Sequence, residues 1–360
     1  MKRLQLLLFS TVLLCTYGWT GNIAGDSSYS TSNEPKKEFP EATNLPANPW
    51  ADDSNLLWVE AEALLWQAFE DNLPVAMTAP NLPPIASTPI QRDVRNPHFD
   101  WNWGYRVGVG YEMPHDGWDG KLIYTRMKNH AKRKIHGVDF NDPEGKHQFI
   151  FQYWGQADFP TPDNIVFARG SWSIDLDQFD LNLGREYYVG KHLTVRPNGG
   201  LRTTWLFQRY DVLYENQFDT KQKIAMKDRF WGFGFVGGVD LDWIFGAGFS
   251  LYGGADYSIL LGFFDIDQHA HQLGSEIWKN DKSFRTGRSI IDMELGIKWA
   301  RLVSNNQLGF TIKAGYEYHL YLQQNQFLTY YGQAGTNSRF KSNEGNLIYQ
   351  GVSLTGMIHF

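Results

Sequence analysis

Residues 290–322 read IIDMELGIKWARLVSNNQLGFTIKAGYEYHLYL and contain two alternating segments joined by a short polar turn. Apolar side chains occupy every second position from Ile291 to Trp299, and again from Leu308 to Leu320. Because successive side chains of a strand point to opposite faces, this period places an apolar surface on one face and charges on the other. Each segment reaches or exceeds the roughly 9–11 residues with which a tilted strand crosses a bilayer. The stretch predicts a membrane-spanning hairpin, with a strand pair of a soluble sandwich as the alternative.

The N-terminus has the pattern of a secretory signal peptide, which we place at residues 1–24. Lys2 and Arg3 precede an apolar run at 4–14, and small and polar residues follow. A lipid anchor at Cys15 is the alternative, but Leu14 stands where a small residue is expected. No later run approaches the roughly 18 apolar residues of a membrane-spanning helix. We expect cleavage of this segment and export through the inner membrane.

Composition narrows the class of protein. Cys15 is the only cysteine, so cleavage would leave no disulfide, thiol nucleophile or cysteine metal site. The net charge of −6 argues against a nucleic-acid partner. Aromatic residues make up 16% of the chain and Gly accounts for 35 residues. An exported chain with this composition and no long apolar run is typical of an outer-membrane barrel with aromatic girdles.

The alternation recurs along the whole chain and predicts an all-β, antiparallel up-and-down transmembrane barrel over residues 56–360. Residues 25–55 are polar and Pro-rich, and we predict a flexible periplasmic segment there, with a lumen plug as the alternative. A helix rivals the first strand, because Ala, Leu and Glu favour helices. The predicted strands are 56–68, 101–112, 118–128, 171–188, 193–208, 230–245, 249–262, the two segments of 290–322, and 346–360.

The connections alternate between turns of a few residues and loops of tens of residues, including the predicted loops 129–170 and 263–285. Bacterial barrels have this asymmetry, with short periplasmic turns and long outer loops. Ten strands place both termini at the periplasmic rim, and a hairpin at 149–154 would make twelve. A slip of the alternation near Gln178 predicts a β-bulge.

The last strand ends in an aromatic residue with apolar residues at alternate positions before it. This form predicts recognition by the machinery that assembles outer-membrane barrels. The predicted signal consists of Val352, Leu354, Ile358 and Phe360.

The same alternation assigns ionisable side chains to the barrel interior. If water fills the barrel, their acidic excess predicts a preference for cations. In a small barrel, interior charges can instead pair and fill the lumen, which is the alternative. Further interior acids are Glu60, Glu62, Glu112, Asp180 and Glu186. The predicted pore-lining residues are Arg106, Lys121, Asp175, Asp177, Arg196, Arg202, Asp240, Asp242, Asp256, Asp292, Glu294, Lys298, Lys313 and Glu317.

Catalytic signals are weak. Asp265, Asp267, His269 and His271 supply oxygen and nitrogen atoms at alternate positions and could hold a divalent cation, although a merely polar loop is the simpler interpretation. Ser353 lacks a nucleophile elbow. We therefore predict no enzymatic activity, no catalytic residue, no resident metal and no cofactor.

Several stretches resemble the Legionella-type major outer membrane protein family, which includes porin-like proteins of chlamydia-related bacteria. They are 57–76 (LWVEAEALLWQAFEDNLPVA), 103–125 (WGYRVGVGYEMPHDGWDGKLIYT), 195–201 (VRPNGGL) and 230–264 (FWGFGFVGGVDLDWIFGAGFSLYGGADYSILLGFF). The resemblance implies an abundant pore-forming barrel. The chain differs from the cysteine-rich proteins of the chlamydiae, which argues against a disulfide-built envelope role.

The predicted function is therefore that of an outer-membrane porin for small hydrophilic solutes or ions. The alternative is a non-conducting barrel that acts as a surface adhesin or an envelope-structural protein. Expected partners are outer-membrane lipid, the barrel-assembly machinery, diffusing solutes and further copies of the chain.

Overall fold

A computed structural model describes residues 56–79, 92–113, 117–137, 148–155, 165–303, 308–333 and 336–360. The predicted signal peptide and periplasmic segment lie outside these residues. Every regular element in the described ranges is a β-strand. These ranges contain no helix with the length and apolar character needed to cross a membrane.

Ten long antiparallel strands form the wall of a barrel, as the alternation predicts. Strand β1 pairs with β2 on one side and with β10 on the other, so the ring closes. The helical alternative for residues 56–68 is wrong, because pairing on both sides holds this segment as a strand. The wall strands are β1 (Leu56–Glu70), β2 (Trp101–Glu112), β3 (Trp118–His136), β4 (Ile165–Arg185), β5 (Leu193–Asn216), β6 (Lys221–Gly246), β7 (Phe249–Gln272), β8 (Ser275–Val303), β9 (Leu308–Asn325) and β10 (Gly345–His359).

Most wall strands extend beyond their predicted ends at the rim with the long connections. β6 begins at Lys221 and β8 at Ser275, whereas the alternation predicts starts near 230 and 290. Parts of the predicted loops 129–170 and 263–285 are thus strand, because the hairpin ladders continue past the bilayer.

Short strands form a layer at this outer rim. Ala76–Ala79 pairs with Phe149–Gln152 and with Asp93–Arg95. Leu328–Gln333 pairs with Thr336–Ser342 in a separate two-stranded sheet. Phe149–Gln152 has one registered strand pair with the wall, Ile150 with Ile165, so it is not a wall strand and the alternative of a twelve-stranded wall is wrong.

Two levels of exposed aromatic side chains mark the bilayer. Trp103, Trp205 and Trp231 lie at the upper girdle, and Trp243 and Phe249 lie at the lower girdle near the short turns. Trp231 and Trp243 are twelve positions apart on β6. At about 3.3 Å per residue and a tilt of roughly 40°, this separation is roughly 30 Å, the thickness of a hydrocarbon core.

The last strand closes the barrel and presents the predicted assembly signal on the outer surface. Val352, Leu354, Ile358 and Phe360 are all exposed there. The recognition of these residues by assembly machinery stays a prediction.

Strand β4 runs in one register with β3 and with β5 through Gln178, so the predicted bulge there is wrong.

The faces of β4 differ from those that the alternation predicts. Ile174 and Leu176 are buried inside the barrel, whereas Phe179 is exposed outside. The side chains of Asp175 and Asp177 therefore point outward, and their assignment to the interior is wrong. The reason is that β4 leaves the bilayer near Asp177, and beyond this level water lies outside and apolar side chains fill the interior.

Candidate functional site

The barrel interior has two sections that meet just below the upper girdle. Level with the bilayer it holds ionisable side chains, and beyond the bilayer it holds a packed apolar core. We refer to the first as the charge network and to the second as the outer core.

Arg106 of β2 connects acidic side chains of the charge network across the lumen. Its Nη1 donates to Glu62 Oε2 at 2.7 Å, and its Nη2 donates to Glu317 Oε2 at 2.8 Å. Its Nε donates to Thr125 Oγ1 at 3.1 Å. The guanidinium therefore bridges β1, β3 and β9 with every nitrogen hydrogen-bonded, as a buried cation requires.

His319 continues the network from Glu317 to Asp292. Its Nε2 lies 3.0 Å from Glu317 Oε2, and its Nδ1 lies 2.7 Å from Asp292 Oδ1. An ionised carboxylate only accepts hydrogen bonds, so this geometry is satisfied when both ring nitrogens carry a proton. The Trp66 ring packs on the imidazole at 4.5 Å between centroids. His319 thus lies at the boundary between the charge network and the outer core.

Arg202 of β5 completes the chain of contacts. Its Nε donates to Asp180 Oδ1 at 2.5 Å, and its Nη1 donates to Ser258 Oγ at 2.9 Å and to Asp292. One continuous series of charged contacts therefore crosses the barrel. In order, it consists of Glu62, Arg106, Glu317, His319, Asp292, Arg202 and Asp180.

A second set of ion pairs lies nearer the short turns. Arg196 donates to Asp119 and, at 2.7 Å, to Asp240 Oδ2, and Lys298 donates to Asp242. A cavity of about 360 Å³ surrounds these pairs and reaches the turn at Gly248. A smaller cavity of about 130 Å³ lies against the charge network. The lower barrel thus holds a polar chamber in which acidic side chains outnumber basic ones.

The outer core is one contiguous cluster of apolar side chains, to which nine of the ten wall strands contribute. Trp172, Tyr210, Tyr214 and Tyr349 have at most 1% of their surface exposed, and the buried Phe327 ring lies 6.5 Å from the Tyr210 ring between centroids. Fully burying a side chain of this size stabilises a fold by about 1.5–3 kcal/mol. The outer half of the barrel is therefore packed like the interior of a soluble protein.

A segment that follows β1 folds into this core, and we call residues 73–76 the plug segment. Leu73 and Val75 are completely buried. The backbone carbonyl of Val75 accepts a hydrogen bond of 2.7 Å from the Tyr214 hydroxyl, and that of Leu73 accepts one of 3.2 Å from Tyr210. Trp154 Nε1 donates to the Pro74 carbonyl at 2.6 Å. These bonds satisfy the polar backbone that burial would otherwise leave unpaired.

Two carboxyl groups lie inside the outer core, above the upper girdle. Asp228 is 1% exposed and Glu70 is 4% exposed. Burial raises the pKa of Asp228 to about 8, although the guanidinium of Arg288 opposes this shift. Burial, with Asp228 nearby, raises the pKa of Glu70 well above its usual range. Burial in the outer core thus favours the protonated form of both carboxyl groups.

The predicted pore-lining residues divide into two groups. Asp175 and Asp177 lie outside, where Asp177 accepts hydrogen bonds from Tyr124 and Arg126. The other predicted residues line the two cavities, which places them in the lumen without testing whether solutes pass them. They are Arg106, Lys121, Arg196, Arg202, Asp240, Asp242, Asp256, Asp292, Glu294, Lys298, Lys313 and Glu317.

The sequence interpretation missed His319, Asp119, Glu70 and Asp228. His319 alternates in phase with Glu317 on β9, so the same period could have identified it. The weak metal candidate is not supported, because Asp265 is exposed on the outer surface of β7 and its carboxylate accepts a hydrogen bond from Arg229. Within the described residues, no group of three or more His, Cys, Asp or Glu side chains could hold a metal ion.

The solved structures to which the chain is similar have low sequence identity and TM-scores below 0.5. The outer membrane protease OmpT from Escherichia coli is 9% identical with a TM-score of 0.41, over 86% of this chain and 97% of that one. A Pseudomonas aeruginosa FadL homologue is 8% identical with a TM-score of 0.27, over 86% and 90%. No curated protein matches the chain. The model of the family described as Legionella pneumophila major outer membrane protein precursor matches residues 51–360, and the chain belongs to this outer-membrane family.

Proposed function

We propose that the protein is an outer-membrane barrel with a lumen closed to solutes, which serves at the cell surface as an envelope-structural or adhesive protein. The outer core carries this proposal. Its side chains come from nearly all of the wall, and many of them have no exposed surface. A water-filled path would expose the side chains along its wall, so the burial of the outer-core side chains supports a closed lumen.

Two further features support a surface role. The charge network fixes strands from opposite sides of the barrel, which stiffens the membrane section. The strands β5 to β8 continue well above the upper girdle and present polar side chains to the cell exterior. We propose no enzymatic activity, and we expect the barrel to reach the membrane after cleavage of the predicted signal peptide.

Passive diffusion of small hydrophilic solutes or ions is the second candidate function. The specific observation in its favour is the polar chamber, because a purely structural barrel does not require cavities of about 130 and 360 Å³ lined by charges. Diffusion would require the plug segment to leave the outer core. The two candidates therefore differ in whether residues 73–76 move.

An engineered disulfide tests this difference. A Cβ placed on Gly170 would lie 3.3 Å from the Cβ of Val75, near the roughly 3.5–4.5 Å of a disulfide. Cleavage of the signal would remove the only natural cysteine, so a Val75→Cys/Gly170→Cys variant would contain one engineered pair. The measurement is single-channel conductance in a planar bilayer, before and after addition of dithiothreitol, with heat-modifiable gel mobility as the check of folding.

We expect no conductance steps from the natural sequence or from the variant in either redox state. Steps in the natural protein that disappear in the oxidised variant and return on reduction would establish the porin function instead. Steps that the disulfide leaves unchanged would also contradict the closed lumen, and would show that solutes diffuse by a path that bypasses the plug segment.

If the barrel conducts, we expect a preference for cations. Asp256 and Glu294 line the chamber, and none of the described basic groups lies within ion-pair distance of either carboxylate. The variant Asp256→Asn/Glu294→Gln should therefore shift the reversal potential in a salt gradient toward zero. The matched control Asp265→Asn removes an exposed carboxylate on the outer surface and should leave the reversal potential unchanged. Anion preference in the natural protein would contradict the expectation.

A further inference from the structure

A group of basic side chains lies on the outer surface of β5, β6 and β8, at and just above the upper girdle. It consists of Arg209, Lys227, Arg229 and Arg285, and we call it the basic patch. Trp205 and Trp231, two positions below Phe207 and Arg229, are exposed on the same surface. The patch is therefore level with the boundary between the outer leaflet and water.

The register places two of these cations directly opposite each other. Arg209 of β5 and Lys227 of β6 are cross-strand partners on the same face. Like charges directly opposite each other destabilise a sheet unless an anion lies between them. Among the described residues, no carboxylate lies within ion-pair distance of Arg209, Lys227 or Arg285. On its other side Lys227 is the cross-strand partner of Asp267 of β7, so the charge that the register leaves without an opposing carboxylate is that of Arg209.

Aromatic rings hold the arginines at this level. The guanidinium carbons of Arg209 and Arg229 lie 5.6 and 6.0 Å from the centroid of the same Phe207 ring. That of Arg285 lies 5.1 Å from the centroid of Phe263. Cation–π contacts of this kind orient a guanidinium and leave its edge N–H groups available to an acceptor. The rings therefore present several donors toward the lipid headgroups.

The acidic groups around the patch neutralise only part of it. Asp265 accepts a hydrogen bond from Arg229 at 2.9 Å and another from Ser283 at 3.0 Å. Asp267 lies 3.8 Å from His269 Nδ1. On the neighbouring strands, Asp175 and Asp177 are matched by Lys128 and Arg126. The excess of positive charge is consequently confined to the surface around Phe207.

We propose that the basic patch binds the phosphate group of an outer-leaflet lipid. Arginine donors match phosphate oxygens in planar, bidentate geometry, and charge-assisted bonds of this type are about twice as strong as neutral ones. The acyl chains of such a lipid would lie along the exposed apolar side chains below, including Phe233 and Leu261. A phosphorylated lipid thus satisfies both the unpaired charge and the apolar surface beneath it, whereas a free anion satisfies only the first.

The test compares lipid binding to the folded protein in detergent micelles, measured by native mass spectrometry. The probe is diphosphoryl lipid A, titrated against the natural protein and the variant Arg209→Gln/Lys227→Gln. We expect at least about tenfold weaker binding by the variant, because charge-assisted hydrogen bonds are lost. The matched control is Arg169→Gln/Lys223→Gln, which removes two exposed charges above the patch and should bind as the natural protein does.

Two further titrations identify the ligand chemistry. Lipid A without phosphates should bind the natural protein as weakly as diphosphoryl lipid A binds the variant. Equal binding of the two lipids would overturn the proposal, as would an unaffected Arg209→Gln/Lys227→Gln variant. Complete displacement of diphosphoryl lipid A by millimolar inorganic phosphate would also overturn it, because the patch would then be a general anion site. Heat-modifiable mobility confirms that each variant is folded.

Discussion

Replacement of Arg202 by methionine is expected to lower the free energy of unfolding by about 3–5 kcal/mol, the cost of leaving a buried charge without its partner. Arg202 is 6% exposed and separates the carboxylates of Asp180 and Asp292. Methionine occupies a similar volume without a charge, so both carboxylates would face each other across an apolar side chain.

The measurement is equilibrium unfolding in urea from detergent micelles, followed by tryptophan fluorescence and by heat-modifiable mobility. Arg169→Met is the matched control, because Arg169 is exposed on the outer surface of β4. Exposed substitutions usually change stability by no more than about 0.5 kcal/mol. Equal midpoints for the two variants would contradict the view that the charge network holds the barrel together.

Replacement of Asp228 by asparagine is expected to stabilise the protein, with an effect that increases with pH. The folded-state pKa of about 8 lies above the ordinary value of 3.8, so the folded protein binds a proton that the unfolded chain releases. Stability contributed by this proton is fully present below about pH 4 and is lost as the pH rises toward 8. At 1.36 kcal/mol per pKa unit, the loss amounts to several kcal/mol, on the order of 5.

Asparagine has nearly the shape of the protonated carboxyl but does not ionise. The variant should therefore match the natural protein near pH 4 and exceed its stability by several kcal/mol at pH 9. Urea unfolding at a series of pH values measures this difference. Asp265→Asn on the exposed surface is the control, and its effect should not grow with pH. A pH-independent difference for Asp228→Asn would show that the carboxyl is not protonated in the folded state.

The wall of the barrel could be predicted from the sequence because two-residue alternation is a local signal. The hairpin at 290–322 and the strand Trp101–Glu112 have the expected residues on the expected faces. The ionisable residues inside the membrane section follow from the same period. Their pairing does not, because Arg106 and Glu317 are far apart in sequence and meet only across the closed ring.

The outer core could not be predicted for a physical reason. Above the upper girdle the alternation continues, but the two faces exchange roles. The apolar side chains point into the barrel there, and the polar side chains point outward to water. The alternation predicts the wrong face for Asp175 and Asp177, because the sequence alone does not mark where β4 leaves the bilayer. The plug segment contains Pro74 and has the composition of an ordinary loop, and its burial depends on hydroxyl groups of Tyr210 and Tyr214 supplied by a distant strand.

The register between β8 and β9 bears on the order in which the barrel assembles. Glu294 faces Glu317, and Lys298 faces Lys313, so this hairpin contains two repulsive pairs when it stands alone. The compensating charges come from Arg106 of β2 and Asp242 of β6, which are far away along the chain. The hairpin of β8 and β9, which has the clearest alternation in the sequence, is therefore a poor nucleus for folding. We expect assembly to be concerted. β8 and β9 should pair stably only after strands from the first two-thirds of the chain have folded.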